Sequence, residues 1–172
     1  MQAGKEGTID LVNRDNMGHF HSGNDSQIVQ TIPFAIGEIW GAPAFWNNNV
    51  YFGGIFDHLK AFSFDPNAQR LSVSYTSRSP EVYGVPGSTP SVSANGNANG
   101  VLWIIESDTY GGGAAVLRAY DATNLGNELY NSGQNSGRDR AGLAVKFTSP
   151  TVADGHVFLG AENEVDMYGL LQ

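Results

Sequence analysis

Apolar and polar residues alternate in short runs along most of this chain, and the runs recur. "WGAPAFWNNNVYFGG" from residue 40, "GSTPSVSANGNANGVLWIIE" from 87 and "FTSPTVADGHVFLGA" from 147 each carry a small residue before Pro43, Pro90 or Pro150. An alternating stretch follows, then an Asn, Asp or Gly turn, then a run rich in Val, Tyr, Phe or Trp. Period-two alternation broken by such a turn predicts two strands joined as a hairpin.

A second anchor follows each pair: "LKAFSFD" from 59, "LRAYDAT" from 117 and "VDMYGLL" from 165. Alternation sets Leu59 with Ala61, Leu117 with Ala119 and Val165 with Met167 on one face of a third strand. The turns "DPNAQR" and "DATNLGN" then lead to "LSVSYTS" and "ELYNS", the predicted fourth strands. Pro43 to Leu59 is 16 residues, Pro150 to Val165 is 15 and Pro90 to Leu117 is 27. The surplus in the middle unit falls in "NGNANG" and "SDTYGGGAA", and a repeated unit tolerates insertions in its loops. Aligning Ile9 with Leu59 lays "MQAGKEGTIDLVNRD" on "YFGGIFDHLKAFSFD" and puts Met1 inside a second strand. The expected strand counts along the chain are about two, four, four and three, with room for one residual piece at the start.

Units of four antiparallel strands with a period of roughly 40–60 residues describe the blades of a β-propeller. The expected fold is therefore all-β, a partial ring with a blade part at 1–36, whole blades at 37–78 and 79–135, and a blade part at 142–172. A β-sandwich also offers short alternating strands, but the proline and aromatic anchors recur at a blade-like period. A ring takes at least four blades, so the expectation is a stretch of a larger propeller in which Met1 is an internal residue.

Composition narrows the function classes. The chain of 172 residues has 22 Gly, only 15% charged residues, no Cys and a net charge of −8. Its Lys and Arg residues are scattered singly, which argues against nucleic acid and anionic membrane as partners, since both require clustered positive charge. Without Cys there is neither a disulfide framework nor a thiolate site. No apolar run reaches the length of a membrane span, and no signal peptide opens the chain.

At "SPTVADGHVFLG" and "VLRAYDATNLGNELYNS" the chain resembles the PQQ-like repeat propellers, from Gly4 to Leu171. Their repeat reads small-Pro-x-Val-x-Asp-Gly-x-Val-Tyr-x-Gly, then Leu-x-Ala-Leu-Asp-x-x-Thr-Gly, then a strand ending in Trp. That family holds quinoprotein alcohol dehydrogenases, non-enzymatic scaffolds and bacterial proteins known only by the repeat; "GKEGTIDLVNRDNMG" and "TPSVSANG" look most like the last group. The resemblance implies a periplasmic or extracellular location. The closing Trp is Tyr130 in one unit and Tyr75 in another, paired Cys residues are absent, and no Glu, Asn and Asp set for calcium is visible. No quinone-site role therefore transfers to any residue here. The expected function is a non-catalytic module for ligand or protein binding or scaffolding. The alternatives are the C-terminal part of a PQQ- and calcium-dependent dehydrogenase whose catalytic residues lie elsewhere, and a short propeller protein that completes its ring by self-association. Partners are accordingly the rest of a larger propeller or a second copy.

Several individual motifs admit plainer readings. "NGNANGVLWIIE" from 95 fits the calcium-loop pattern except at Asn95. An extended strand would carry Glu106 on the order of 20 Å from the turn, so the stretch reads as a hairpin. His19 and His21, with Asp15 and Asp25 nearby, offer ligand types for a metal, but in an irregular turn region. Asp57 and His58 lack a nucleophile elbow. "YGGGAA" lacks the Lys-Ser/Thr of a phosphate loop, and the "NDS" acceptor at Asn24 matters only in a glycosylating secretory pathway. The remaining candidate is a ligand face of connecting loops presenting Trp40, Asp57, His58, Tyr83, Tyr110 and Lys146. Aromatic rings beside a few polar groups suit a carbohydrate or small organic ligand.

Overall fold

The computed structural model describes residues 1–170; Leu171, where the repeat resemblance ends, and Gln172 lie outside it. The chain is all-β, 48% strand, in several antiparallel sheets of which none is closed. The first sheet is built from β1 (Gln2–Ala3), β2 (Ile9–Leu11) and β3 (Gln30–Ile32), in that order. The second takes β4 (Ala44–Trp46), β5 (Asn49–Gly53), β6 (Asp57–Asp65), the short β7 (Arg70–Leu71) and β8 (Ser77–Tyr83). Both β7 and β8 pair with β6, at different points along it. The third runs as a meander through β9 (Ser91–Asn95), β10 (Ala98–Glu106), β11 (Val116–Asp121) and β12 (Asn124–Asn131). After the single turn α1 (Ser136–Asp139), the fourth has β13 (Thr151–Ala153), β14 (His156–Ala161) and β15 (Glu164–Tyr168).

Turn chemistry explains the hairpins. Asn47 and Asn48 both take positive φ, 44° and 57°, between β4 and β5, as do Asp154 and Gly155, 48° and 73°, between β13 and β14. Two successive left-handed residues match the twist of the strands they join, and Asn, Asp and Gly bear that conformation at least cost. Asn95 pairs with Ala98 across the two-residue turn Gly96-Asn97, so "NGNANG" is the hairpin its alternation predicted.

The pairing registers coincide in three of the sheets. Leu59 lies opposite Gly53, Leu117 opposite Ile105 and Val165 opposite Gly160, the same point in three ladders. The second and third sheets each send one row of side chains to the sheet before and the alternate row to the sheet after. Ile9 and Ile32 meet Val50, Phe52 and Phe62. Tyr51, Leu59 and Tyr83 meet Leu102, Ile104 and Tyr120, and Ile105 and Leu117 meet Val157 and Leu159. Three cores in series thus hold four sheets. At the series' ends, the outward row of the first sheet is polar, with Thr31 Oγ1 donating to Asp10 Oδ1 at 2.8 Å. The outward row of the fourth sheet is apolar, and Val165 and Met167 stand 68% and 62% exposed where their counterparts Leu59 and Ala61 are buried.

Three expectations require correction. The first sheet has three strands rather than two: Gln30 joins it to the second sheet, its side chain bonding both the N–H and the C=O of Leu71, which steadies a short segment without clear alternation. The fourth strand of the second sheet is residues 77–83, not "LSVSYTS". Leu71 turns back onto the end of β6, the chain then bends, and pairing resumes at Ser77. Pro80 has no N–H to give the ladder; it is accommodated because β8 is an edge strand with a register shift there. The boundary expected after residue 78 consequently falls inside β8. The predicted turn "DATNLGN" is also shorter than expected, since β12 already begins at Asn124.

Candidate functional site

The connections between sheets and the turns between β5 and β6 and between β10 and β11 meet at one end of the stack. Short bridges join them: Glu38 with Ile55, Gly53 with Ser88 and Ala114 with Leu143. Trp40, from the connection between the first and second sheets, reaches Phe147 in the connection between the third and fourth, with ring centroids 5.7 Å apart. Two connections that are remote in sequence therefore converge.

Around that contact lies a belt of aromatic rings and ammonium groups. Lys5 Nζ sits 4.8 Å from the centre of the Trp40 ring, and Trp40 Nε1 donates to Glu38. Lys146, the residue before Phe147, places its Nζ 3.9 Å from the centre of the Tyr110 ring. An ammonium over a ring face is held by the ring quadrupole, which keeps both groups ordered at a surface. Trp40, Tyr110 and Phe147 are 42%, 38% and 62% exposed. The belt offers flat apolar surface with two ammonium groups, Lys5 and Lys146, and the Glu38 carboxylate.

Of the six residues the sequence singled out, the structure brings Trp40, Tyr110 and Lys146 into this belt. Asp57 is occupied with architecture: its carboxylate accepts from Gly37 N–H at 2.8 Å and pairs with Lys60 at 2.7 Å. His58 holds β8 through Nδ1 and the Glu81 carbonyl, 2.9 Å apart. Tyr83 was expected in a connecting loop; it is the last residue of β8 and is buried, because alternation from Ser79 turns it into the core between the second and third sheets. Lys5 and Phe147 were missed. Neither belongs to an alternating run, and only the convergence of the connections gives them a role. His19 and His21 lie in an exposed loop, and among the described residues no group of three or more His, Asp or Glu side chains is placed to hold a metal ion.

A second polar cluster lies between the second and third sheets. Arg118 Nε donates to Glu106 Oε2 and Nη1 to Glu128 Oε1, both at 2.6 Å, and Glu81 Oε1 is 3.8 Å away. Burial disfavours the charged guanidinium, but its bonds to Glu106 and Glu128 outweigh that and raise its pKa above the ordinary arginine range. Beside it Tyr120 shares a hydrogen bond with Tyr83 OH and also donates to Glu81 Oε2 at 2.7 Å. Glu106 thus belongs to an ion network. These bonds tie Glu81 and Tyr83 of β8 to side chains of β10, β11 and β12, a staple that holds β8 against the third sheet.

The same burial makes the protein sensitive to alkali. Desolvation, followed by the nearby Asp121 charge, raises Tyr51 to about 12 from the usual 10.0, and desolvation raises Tyr83 and Tyr120 further. A phenol whose folded pKa is raised stays neutral in the fold while the unfolded chain ionises. Its contribution is complete below the unfolded value and is lost as pH rises through the folded one. Stability should therefore fall across the window from the ordinary tyrosine pKa near 10.0 to about 12. Thermal unfolding followed by circular dichroism through that window checks this, and a constant Tm would contradict it.

Comparison with protein-family models, with curated proteins and with solved structures returned no match. The class of this molecule, an all-β protein of serially packed antiparallel sheets, rests on its own geometry.

Proposed function

We propose that the chain is a non-catalytic binding module: a stretch of a β-propeller of the PQQ-like repeat type whose belt of Trp40, Phe147, Lys146 and Tyr110 binds a carbohydrate or small organic ligand. The observation that carries the reading is the convergence of Trp40 and Phe147 from two distant connections, flanked by Lys5 and Lys146. Exposed aromatic faces stack on the apolar faces of sugar rings, and the ammonium groups add affinity for ligands bearing a carboxylate or sulfate. Sheets that repeat in register, and connections that gather at one end, support the propeller reading. In it, the apolar outer row of the fourth sheet packs against the rest of a larger propeller or a second copy. The module works in the periplasm or outside the cell.

The test is a fluorescence titration against neutral and carboxylated oligosaccharides. Trp46 is 9% exposed and Trp40 42%, so Trp40 is the better placed reporter. Binding should shift or quench the emission, acidic sugars should bind more tightly than neutral ones, and Trp40→Ala should weaken binding about tenfold or more, as loss of a central aromatic anchor does. Unchanged affinity in Trp40→Ala, or no ligand in either class, would remove the reading.

A further inference from the structure

Three phenylalanines hold a backbone conformation that is costly for them. Phe34, Phe56 and Phe147 have φ of 53°, 53° and 68°, the left-handed region in which a side chain crowds its own carbonyl and a bulky residue is an outlier. Every other non-glycine residue with positive φ among the described residues is Asn, Asp, His or Gln. All three phenylalanines lie in the connections and turns at the end of the stack that carries the belt, and they are 87%, 77% and 62% exposed. Burial of the rings therefore does not offset the strain. Strain of this kind gathers at ligand clamps and active sites, where the surrounding structure enforces it.

Phe147 already belongs to the belt through its contact with Trp40. Phe34 and Phe56 extend it. Phe34 and Trp40 stand at the two ends of one segment, 34–40, whose middle is fastened to the turn that carries Phe56. Glu38 bridges to Ile55, and Gly37 N–H donates to Asp57 Oδ2 at 2.8 Å. A Cβ on Gly37 would collide with the Ile55 carbonyl oxygen, so only glycine lets the two pieces lie this close. The Ala35 and Ile36 N–H groups both donate to the Gly7 carbonyl, which ties the segment to the turn bearing Lys5. Four exposed rings are thus carried on linked segments, Phe147 and Trp40 in one half, Phe56 and Phe34 in the other. The halves differ in charge. Lys5 and Lys146 stand in the first, beside the Glu38 carboxylate that Trp40 engages. In the second, Lys60 reaches the Ala35 carbonyl at 3.2 Å but is paired with Asp57 at 2.7 Å.

We propose that the ligand is a chain of several sugar rings: the half with Trp40 and Phe147 reads its charge, and the half with Phe34 and Phe56 stacks on further units without regard to charge. This inference rests on the ligand-face reading and names the kind of ligand that face takes. A sugar chain presents an apolar face at each unit, which suits a row of exposed rings. The enforced backbone at Phe34 and Phe56 holds their rings outward in the free protein, so less ordering remains to be done on binding.

The test is calorimetric titration with galacturonic acid, its dimer and its hexamer. The hexamer should bind more tightly than the dimer. Phe34→Gly and Phe56→Gly should each weaken hexamer binding about twofold to tenfold and leave the monomer unaffected. That loss should be the same at low and high salt, whereas affinity for the monomer should fall with salt. Glycine bears positive φ without strain, so both variants should keep or raise the parent Tm. A hexamer bound no better than the dimer, or unchanged hexamer affinity in both glycine variants, would overturn the inference; if Trp40→Ala still weakened every oligomer, the ligand face itself would stand. No binding of any oligomer would remove both. A lower Tm in the glycine variants would overturn the inference by making the rings structural. Binding of the parent to phosphatidylcholine vesicles that the glycine variants lose would overturn it in favour of a lipid surface.

Discussion

Tyr51→Ala should lower stability by about 3–5 kcal/mol, while Tyr51→Phe should cost only about 1 kcal/mol. Tyr51 is 0% exposed and projects from β5 into the core shared with the third sheet. Its hydroxyl donates to the Ala122 carbonyl at 2.8 Å, across the gap between the sheets. Truncation to Ala removes the whole ring, and neighbours on two rigid sheets cannot close the space, so the transfer and cavity contributions add. The Phe variant keeps the ring and loses one hydrogen bond, leaving a buried carbonyl short of a partner. Urea denaturation of the two variants beside the parent measures both values. Equal losses would mean that the hydrogen bond, not the ring, holds the sheets together.

The ion network should respond almost as strongly. Arg118→Met is expected to cost about 2–4 kcal/mol, somewhat under the ~3–5 kcal/mol of a fully buried pair, because the side chains involved retain some solvent contact. Arg118 is 17% exposed and its three carboxylate neighbours are 20–28% exposed. Without the guanidinium, Glu81, Glu106 and Glu128 repel one another beneath β8. Denaturation midpoints of parent and variant check the size of the loss. A loss under about 1 kcal/mol would show that the ion network contributes little to holding β8.

The repeat was readable because each anchor obeys a local rule. Pro43, Pro90 and Pro150 precede alternating runs, Asn and Asp-Gly pairs mark the hairpins, and Leu59, Leu117 and Val165 hold one register. The short strands at 2–3 and 30–32 were not readable as pairs. Two or three residues carry no periodicity, and β3 is fixed by Gln30 bonding the backbone of Leu71, 41 residues away. β8 was misplaced for a related reason: Pro80 interrupts what alternation there is, and the strand exists because β6 offers it an edge.

For the candidate site, Trp40, Tyr110 and Lys146 could be chosen from the sequence as loop residues of suitable chemistry, whereas Lys5 and Phe147 could not. An exposed phenylalanine in a connection has no pattern of its own, and it gains meaning only from the Trp40 ring against it. The network around Arg118 shows the same limit. Glu81, Glu106, Arg118 and Glu128 come from four strands in two sheets, and the pairing of their charges is a matter of register and sheet packing.

The sequence by itself determined the all-β class, the hairpins and the repeated anchor, because alternation and turn chemistry act over a few neighbouring residues. Only the tertiary structure decided which loops meet and that Tyr83 is buried. Those outcomes depend on how whole sheets stack, and side chains brought together by stacking lie tens of residues apart in the chain.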